Sequence, residues 1–208
     1  MNIICPTVLA SDKAAFDKQI DRVSFARRIQ LDFMDGEFAP TKSIALADAW
    51  LPEHTQSDLH LMFKKPYDHM ETILKLKPHM VIIHAEADVD HVQMASELNK
   101  NGILAGLCVL PETTVDSIKP ILKSFDHLLI FGGKLGHFGG QADLAQLEKI
   151  AEAKEFHPNL EIGWDGGASD QNARKMAENG VDVINVGGFI QKAEEPEVAY
   201  NSLVELLK

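Results

Sequence analysis

With 208 residues, 45% of them hydrophobic and 25% charged, the chain has the composition of an ordinary soluble globular domain. A net charge of −11 argues against general nucleic-acid binding, which needs basic faces to neutralise phosphates, and against anionic membrane surfaces. It does not exclude a phosphorylated substrate, because backbone amides can bind phosphate without cationic side chains. No run approaches the roughly 20 apolar residues of a membrane span.

Taken in order, the first ten residues are apolar, lack a basic region, and read as a strand rather than a signal peptide. Strand-like runs cover 3–9, 29–34, 58–62, 80–84, 104–110, 127–131, 160–164 and 181–186. Helical spacing fills the intervals. Residues 12–26 align Phe16, Ile20 and Val23 on one face, with Ser11 or Asp12 as N-cap. Residues 67–76 follow Pro66, 89–99 end near Gly102, 114–122 open on Thr114, and 143–153 repeat the pattern. Residues 169–179 end at Gly180, a glycine C-cap signature, and 195–207 close the chain. The stretch 40–57 is the least regular. Strands alternating with helices, with no hairpin signal between them, predict a parallel sheet. Eight such units in this length predict an α/β fold, a single (β/α)8 TIM barrel over 1–208. Cys5 and Cys108 lie in apolar runs without CxxC spacing and read as buried reduced thiols of a cytoplasmic protein.

In such barrels the active site lies at the C-terminal ends of the strands. Thr7, Asp32, His60, His84, Asp165, Gly187 and Gly188 all fall at that end. Two carboxylates on opposite faces of a substrate are what a two-base proton transfer beside a carbonyl needs, and Asp32 and Asp165 could supply them. His60 lies where it could share a divalent cation with both, and the cation would polarise the carbonyl and stabilise an enediolate. The plainer alternative is that each aspartate pairs with a lysine or caps a helix. Gly166-Gly167 and Gly187-Gly188, after the last two strands, suit a phosphate site made of closely approaching amides, although each pair alone could be a tight turn. Phe138-Gly139-Gly140-Gln141 reads as a glycine-rich loop that folds over the substrate. His84 fits a site role or a structural one, and His137 in the glycine-rich loop stays open. His54, His69, His79, His91, His127 and His157 are expected at the surface. Met34 and Met62 fill the core or line the pocket floor.

On these residues the sequence resembles the ribulose-phosphate 3-epimerase family of (β/α)8 barrels across nearly its whole length. Pro6-Thr7-Val8-Leu9-Ala10-Ser11-Asp12 is similar to P-S-I-L-S-A-D, and 31–40, LDFMDGEFAP, to V-D-V-M-D-G-x-F-V-P. Asp58-Leu59-His60-Leu61-Met62, His84-Ala85-Glu86-Ala87, Phe138-Gly139-Gly140-Gln141 and Trp164-Asp165-Gly166-Gly167 are similar to D-V-H-L-M, H-x-E-A, F-G-G-Q and V-D-G-G. The resemblance implies a metal-dependent epimerisation at C3 that interconverts D-ribulose 5-phosphate and D-xylulose 5-phosphate in carbohydrate metabolism. It implies Asp32 and Asp165 as acid/base pair and metal ligands, His60 as a third ligand, and Thr7 in place of a substrate-contacting serine. The implied cofactor is a divalent ion (zinc, manganese, iron, cobalt or magnesium), and the implied partners are a phosphorylated sugar and further copies of the same chain.

Three positions depart from the family pattern. Gln30 stands where the family has a fourth ligand, a histidine, and an amide oxygen suits zinc-like ions less well than imidazole. The metal is then held loosely, is a different ion, or is absent. The loop before the F-G-G-Q motif is Gly132-Gly133-Lys134-Leu135-Gly136-His137, without the usual methionine and Pro-Gly turn, and Lys134 or His137 could reach a substrate anion. The closing Gly-Ser is Gly187-Gly188, which loses a hydroxyl and keeps the amides. Besides the pentulose phosphate epimerase, two readings stand: an epimerase or isomerase of another phosphorylated sugar, and a non-catalytic binder of a phosphorylated ligand.

Overall fold

A computed structural model describes residues 2–136 and 140–208. The strands are β1 (Ile3–Val8), β2 (Arg28–Met34), β3 (Gln56–Met62), β4 (Met80–His84), β5 (Leu104–Val109), β6 (His127–Phe131), β7 (Glu161–Asp165) and β8 (Val183–Val186). They pair in sequence order, all parallel, and β8 pairs back with β1 to close an eight-stranded barrel. The expected (β/α)8 fold is the observed one.

The strands are buried on both faces, and their alternation sorts two kinds of side chain. Leu31, Phe33, Leu59, Leu61, Ile83 and Ile130 join the large apolar cluster that includes residues of the surrounding helices. Met80, Ile82, Cys108, Leu129 and Phe131 form a separate, smaller cluster. Polar residues occupy much of the interior instead: Arg28, Gln30 and Asp32 on β2, Asp58 and His60 on β3, and Glu161 and Asp165 on either side of Gly163 on β7.

The helices are α1 (Lys13–Arg22), α2 (Met70–Leu76), α3 (His91–Lys100), α4 (Val115–Leu122), α5 (Glu148–Phe156), α6 (Ala173–Glu178), α7 (Gly188–Gln191) and α8 (Pro196–Leu206). Asp12 caps α1 by accepting from the Ala15 amide at 2.9 Å, and Phe16 and Ile20 are that helix's buried side chains. Asp90 caps α3 in the same way. Between β2 and β3 only one 3-10 turn forms, Leu46–Asp48, as the irregular sequence of 40–57 leads one to expect. The helix expected over 143–153 begins as a 3-10 turn, Leu144–Leu147, and continues as α5. The helix expected over 169–179 narrows to α6, because Asn172 and Ser169 spend their side chains bonding the turn that precedes it. The four-residue α7 was not anticipated and follows directly on β8.

The N-terminal end of the barrel is plugged by a buried charge network. Arg28 bonds Asp58 through Nε at 2.7 Å and forks onto both oxygens of Glu161 at 3.0 and 2.9 Å. His127 Nδ1 lies 2.7 Å from Glu161, and His79 Nδ1 lies 2.8 Å from Asp58. His127 is therefore not the surface residue expected from sequence. It is 1% exposed, at the start of β6, and it fits because Gly163 faces it: a Cβ at 163 would sit 2.3 Å from His127 Nε2. Burial works to raise the Glu161 carboxyl, but the bonds from His127 and Arg28 outweigh it and hold it well below the usual range. Removing one partner of a buried ion pair leaves the other uncompensated. Arg28→Ala is therefore expected to cost about 3–5 kcal/mol of unfolding free energy by stranding Asp58, read from denaturant titration.

Candidate functional site

At the opposite end of the strands, β2 presents Gln30 and then Asp32 to the interior. Asp32 pairs in register with His60 on β3, which brings His60 Nδ1 to 3.0 Å from Asp32 Oδ1. Asp165 closes β7, and its Oδ2 lies 3.4 Å from the same nitrogen. Gln30 sits among all three. Its Nε2 donates to Asp32 Oδ1 at 2.9 Å and to Asp165 Oδ2 at 2.7 Å, and lies 3.4 Å from His60 Nδ1. Both amide protons are thereby spent on the two carboxylates, which would otherwise repel each other across a dry floor.

The electrostatics follow. Burial raises the Asp32 carboxyl and the Asp165 charge adds to it; the bonds from His60 and Gln30 oppose, and the balance lies at about 6. Burial disfavours charge on His60, but Asp165 and Asp32 outweigh it and hold the imidazole well above its ordinary value. Asp35, the second carboxylate of the motif, does something different. It accepts from the amides of Glu37 and Phe38 at 2.8 Å and of Lys64 at 2.6 Å, which ties the loop after β2 to the end of β3. It is a loop organiser outside the reacting set.

The chemistry of the donor set fits a divalent cation. Asp32, His60 and Asp165 each offer a ligand atom, all within 4.8 Å of one another. Gln30 Oε1 is buried with no hydrogen-bond partner, a costly state for a carbonyl of about 1–3 kcal/mol. A half-turn of the amide would present that oxygen, rather than Nε2, to the centre of the set. Two carboxylates, an imidazole and an amide oxygen fit a hard or borderline ion such as magnesium, manganese or iron better than a thiophilic one.

Above this floor opens a cavity of about 310 Å³ lined by Thr7, Asp32, Asp165 and the glycines 140, 166, 167, 187 and 188. Gly139 lies outside the described residues, as do Phe138 and His137. Gly166 (φ +115°) must be glycine: a Cβ there would lie 2.2 Å from the Gly133 amide nitrogen, so the loops after β6 and β7 touch backbone to backbone. His60 and Gln30 are fully buried beneath the cavity, so they act through the carboxylates that reach it. Met62 lines the cavity, whereas Met34 packs with Ala39 at its side.

Three residues were not singled out from sequence as part of the site. Asn185 on β8 is 2% exposed, lines the cavity, and leaves its Oδ1 without a partner. Its signal was available: a lone amide in the run Val183-Ile184-Asn185-Val186, at the position level with Asp165. Lys192, just beyond α7, brings a cation to the glycine end of the cavity. Cys108, level with His84, lies beneath the floor, and His84 and His60 outweigh burial to hold its thiol below the usual range.

Residues 3–190 match the Ribulose-phosphate 3 epimerase family. The ribulose-phosphate 3-epimerase of Helicobacter pylori is 32% identical over 96% of this chain and 95% of its own, and that of Mycobacterium tuberculosis is 31% identical over 97% and 91%. Among solved structures, a 3-hexulose-6-phosphate synthase superposes with a TM-score of 0.73 at 14% identity, covering all of both chains, which speaks to the fold alone. The chain belongs to the ribulose-phosphate 3-epimerase family and is a sugar-phosphate epimerase.

Proposed function

We propose that the chain interconverts D-ribulose 5-phosphate and D-xylulose 5-phosphate by moving one proton at C3. The observation that carries this is the pair Asp32 and Asp165, bridged by one amide at the floor of a cavity that ends in glycine-rich loops. A pentulose phosphate laid with its phosphate on the amides of 166–167 and 187–188, beside Lys192, has its carbonyl end over the carboxylates. One aspartate then takes the C3 proton, the electron pair of the C–H bond passes into a C2–C3 enediolate, and the other aspartate returns a proton to the opposite face. Restored carbonyl and inverted C3 leave the two carboxylates with exchanged roles, ready for the reverse reaction. While no cation is bound, Gln30 and His60 supply N–H donors that keep both carboxylates aimed. Asp32, His60, Asp165 and a turned Gln30 would hold a divalent cation, which when bound supplies Lewis-acid stabilisation of the enediolate charge.

A second reading rests on Lys134. This residue departs from the family pattern and lines the cavity. A further anionic or longer substrate would suit it, so a panel of phosphorylated ketoses and aldoses belongs beside the pentulose pair. Cytoplasmic placement and self-association extend the same proposal. No helix among the described residues is long and apolar enough to cross a membrane.

The direct test is loss of the C3 proton of either pentulose phosphate to deuterated water, with magnesium, manganese, iron, cobalt or zinc supplied in turn. Absence of exchange with every ion sinks the proposal. Asp32→Asn and Asp165→Asn are each expected to lower turnover by about 10²–10⁴-fold, with exchange surviving from only one epimer in each variant. Because the Asp32 carboxyl lies at about 6, kcat/KM without added metal should fall as the pH drops below that value, since the base is then protonated. Added cation favours the carboxylate form and should shift this limb to lower pH. Gln30→His should raise zinc affinity by at least about ten-fold, roughly 1.4 kcal/mol, with a smaller change for manganese, as read by calorimetric titration.

A further inference from the structure

Beneath the carboxylate floor lies a cluster that shares His60 with the proton-transfer set and adds two residues, His84 and Cys108, which that set does not use. His60, His84 and Cys108 are all completely buried, and each offers a ligand atom within 4.8 Å of the others. The two imidazoles stack with centroids 5.1 Å apart, and their Nε2 atoms face each other at 3.0 Å. Cys108 stands beside His84 because the two are in register on β5 and β4.

The other ring nitrogens decide what lies between them. His60 Nδ1 faces Asp32 Oδ1 at 3.0 Å, whereas His84 Nδ1 makes no hydrogen bond and has Glu86 Oε2 only as an ion-pair neighbour at 3.5 Å. Glu86 is itself held by the Leu110 amide and the Thr113 hydroxyl. Asp32 and Asp165 hold a proton on His60 Nδ1, so a metal that displaces the ring's second proton meets an Nε2 lone pair aimed at His84. Two lone pairs in van der Waals contact repel unless a cation or a proton sits between them. Carboxylate, histidine, then metal is the order in which ligating histidines are usually braced, and His60 shows it through Asp32. Two nitrogens on a tetrahedral zinc stand about 3.3 Å apart, so the rings need part by only a few tenths of an ångström.

We infer that His60, His84 and Cys108 form a second metal site, built for a thiophilic cation of the zinc or cuprous class. Two imidazole nitrogens and a thiolate are the ligands such ions prefer, in contrast to the oxygen-rich set above. The surroundings are dry: Cys108 packs in the apolar cluster of Met80, Ile82, Leu129 and Phe131, and the Phe38 ring lies 4.5 Å from that of His84. Binding displaces the thiol proton and leaves both imidazoles neutral. Because His60 serves this site through Nε2, its Nδ1–H stays on Asp32 and Asp165, and it is withdrawn from the carboxylate set. The two sites therefore compete for one residue. The inference stands on the lower cluster alone and holds whatever sugar the cavity takes.

The test is titration of the full chain, stripped by chelator, with cobalt(II) alone. The expected result is an intense near-ultraviolet sulfur-to-cobalt charge-transfer band that saturates at one equivalent and is bleached by zinc. Ligands of oxygen and nitrogen only, as in the upper set, cannot produce it. Cys108→Ser should lose the band and bind zinc at least about ten-fold more weakly, whereas Asp165→Asn should keep it. No band in the unmodified chain overturns the inference, since it would leave a proton shared by the two imidazoles. A band that survives in Cys108→Ser overturns it as well. The unmodified chain gives the primary reading, so the outcome does not depend on how well either variant folds.

Discussion

Two carboxylates that share a buried floor must be kept from neutralising themselves, and the working end of this barrel depends on how that is done. An isolated buried carboxylate is costly and tends to take up a proton. Asp32 and Asp165 escape this by sharing the two protons of the Gln30 amide and the imidazole of His60. The arrangement leaves Asp32 poised at about 6 rather than fully acidic or fully neutral, where a group can both accept and return a proton near neutral pH. The same amide leaves its own oxygen buried and unpaired.

The barrel uses its charges in opposite ways at its two ends. At the N-terminal end Arg28 satisfies Asp58 through Nε and Glu161 with a fixed fork, so both carboxylates there are held in ion pairs. At the C-terminal end no arginine or lysine among the described residues bonds Asp32 or Asp165; the donors there are the Gln30 amide and the His60 imidazole. Strand β2 carries both solutions, with Arg28 at its start and Asp32 near its end. A rigid base supports a site whose groups can exchange protons.

Much of this was legible in the sequence, for definite reasons. Apolar runs of strand length alternating with capped helices specify a parallel barrel, and the barrel rule then gathers Asp32, His60 and Asp165 from distant positions. What escaped depended on which neighbours the closed sheet brings together. Gln30 reads as a weakened ligand on its own strand, but its bridge to Asp165 exists only because β7 lies across the interior. His127 looks like a surface histidine until Gly163 and Glu161 are seen to make room and charge for it. Cys108 looks inert as a lone thiol in an apolar run, and acquires chemistry only from the register with His84. Asn185 went unremarked because one amide in a short strand carries no period.

The contact between Gly166 and Gly133 has a bearing on how this chain could have diverged. The Gly132 amide donates to the Asp165 carbonyl at 2.8 Å, the Gly132 carbonyl accepts from Asp143 at 2.8 Å, and Gly133 lies against Gly166 with no room for a side chain. The loop after β6, which departs most from the family pattern, is thus bolted at its root to the strand end that carries a catalytic candidate. A side chain added at Gly133 or Gly166 would push on the backbone that carries Asp165, so this glycine pair constrains the root, while Lys134 lies outside that constraint. Lys134 lies beyond this fixed stem and lines the cavity, so a change of side chain there alters what the cavity admits without moving the groups that would carry out the reaction.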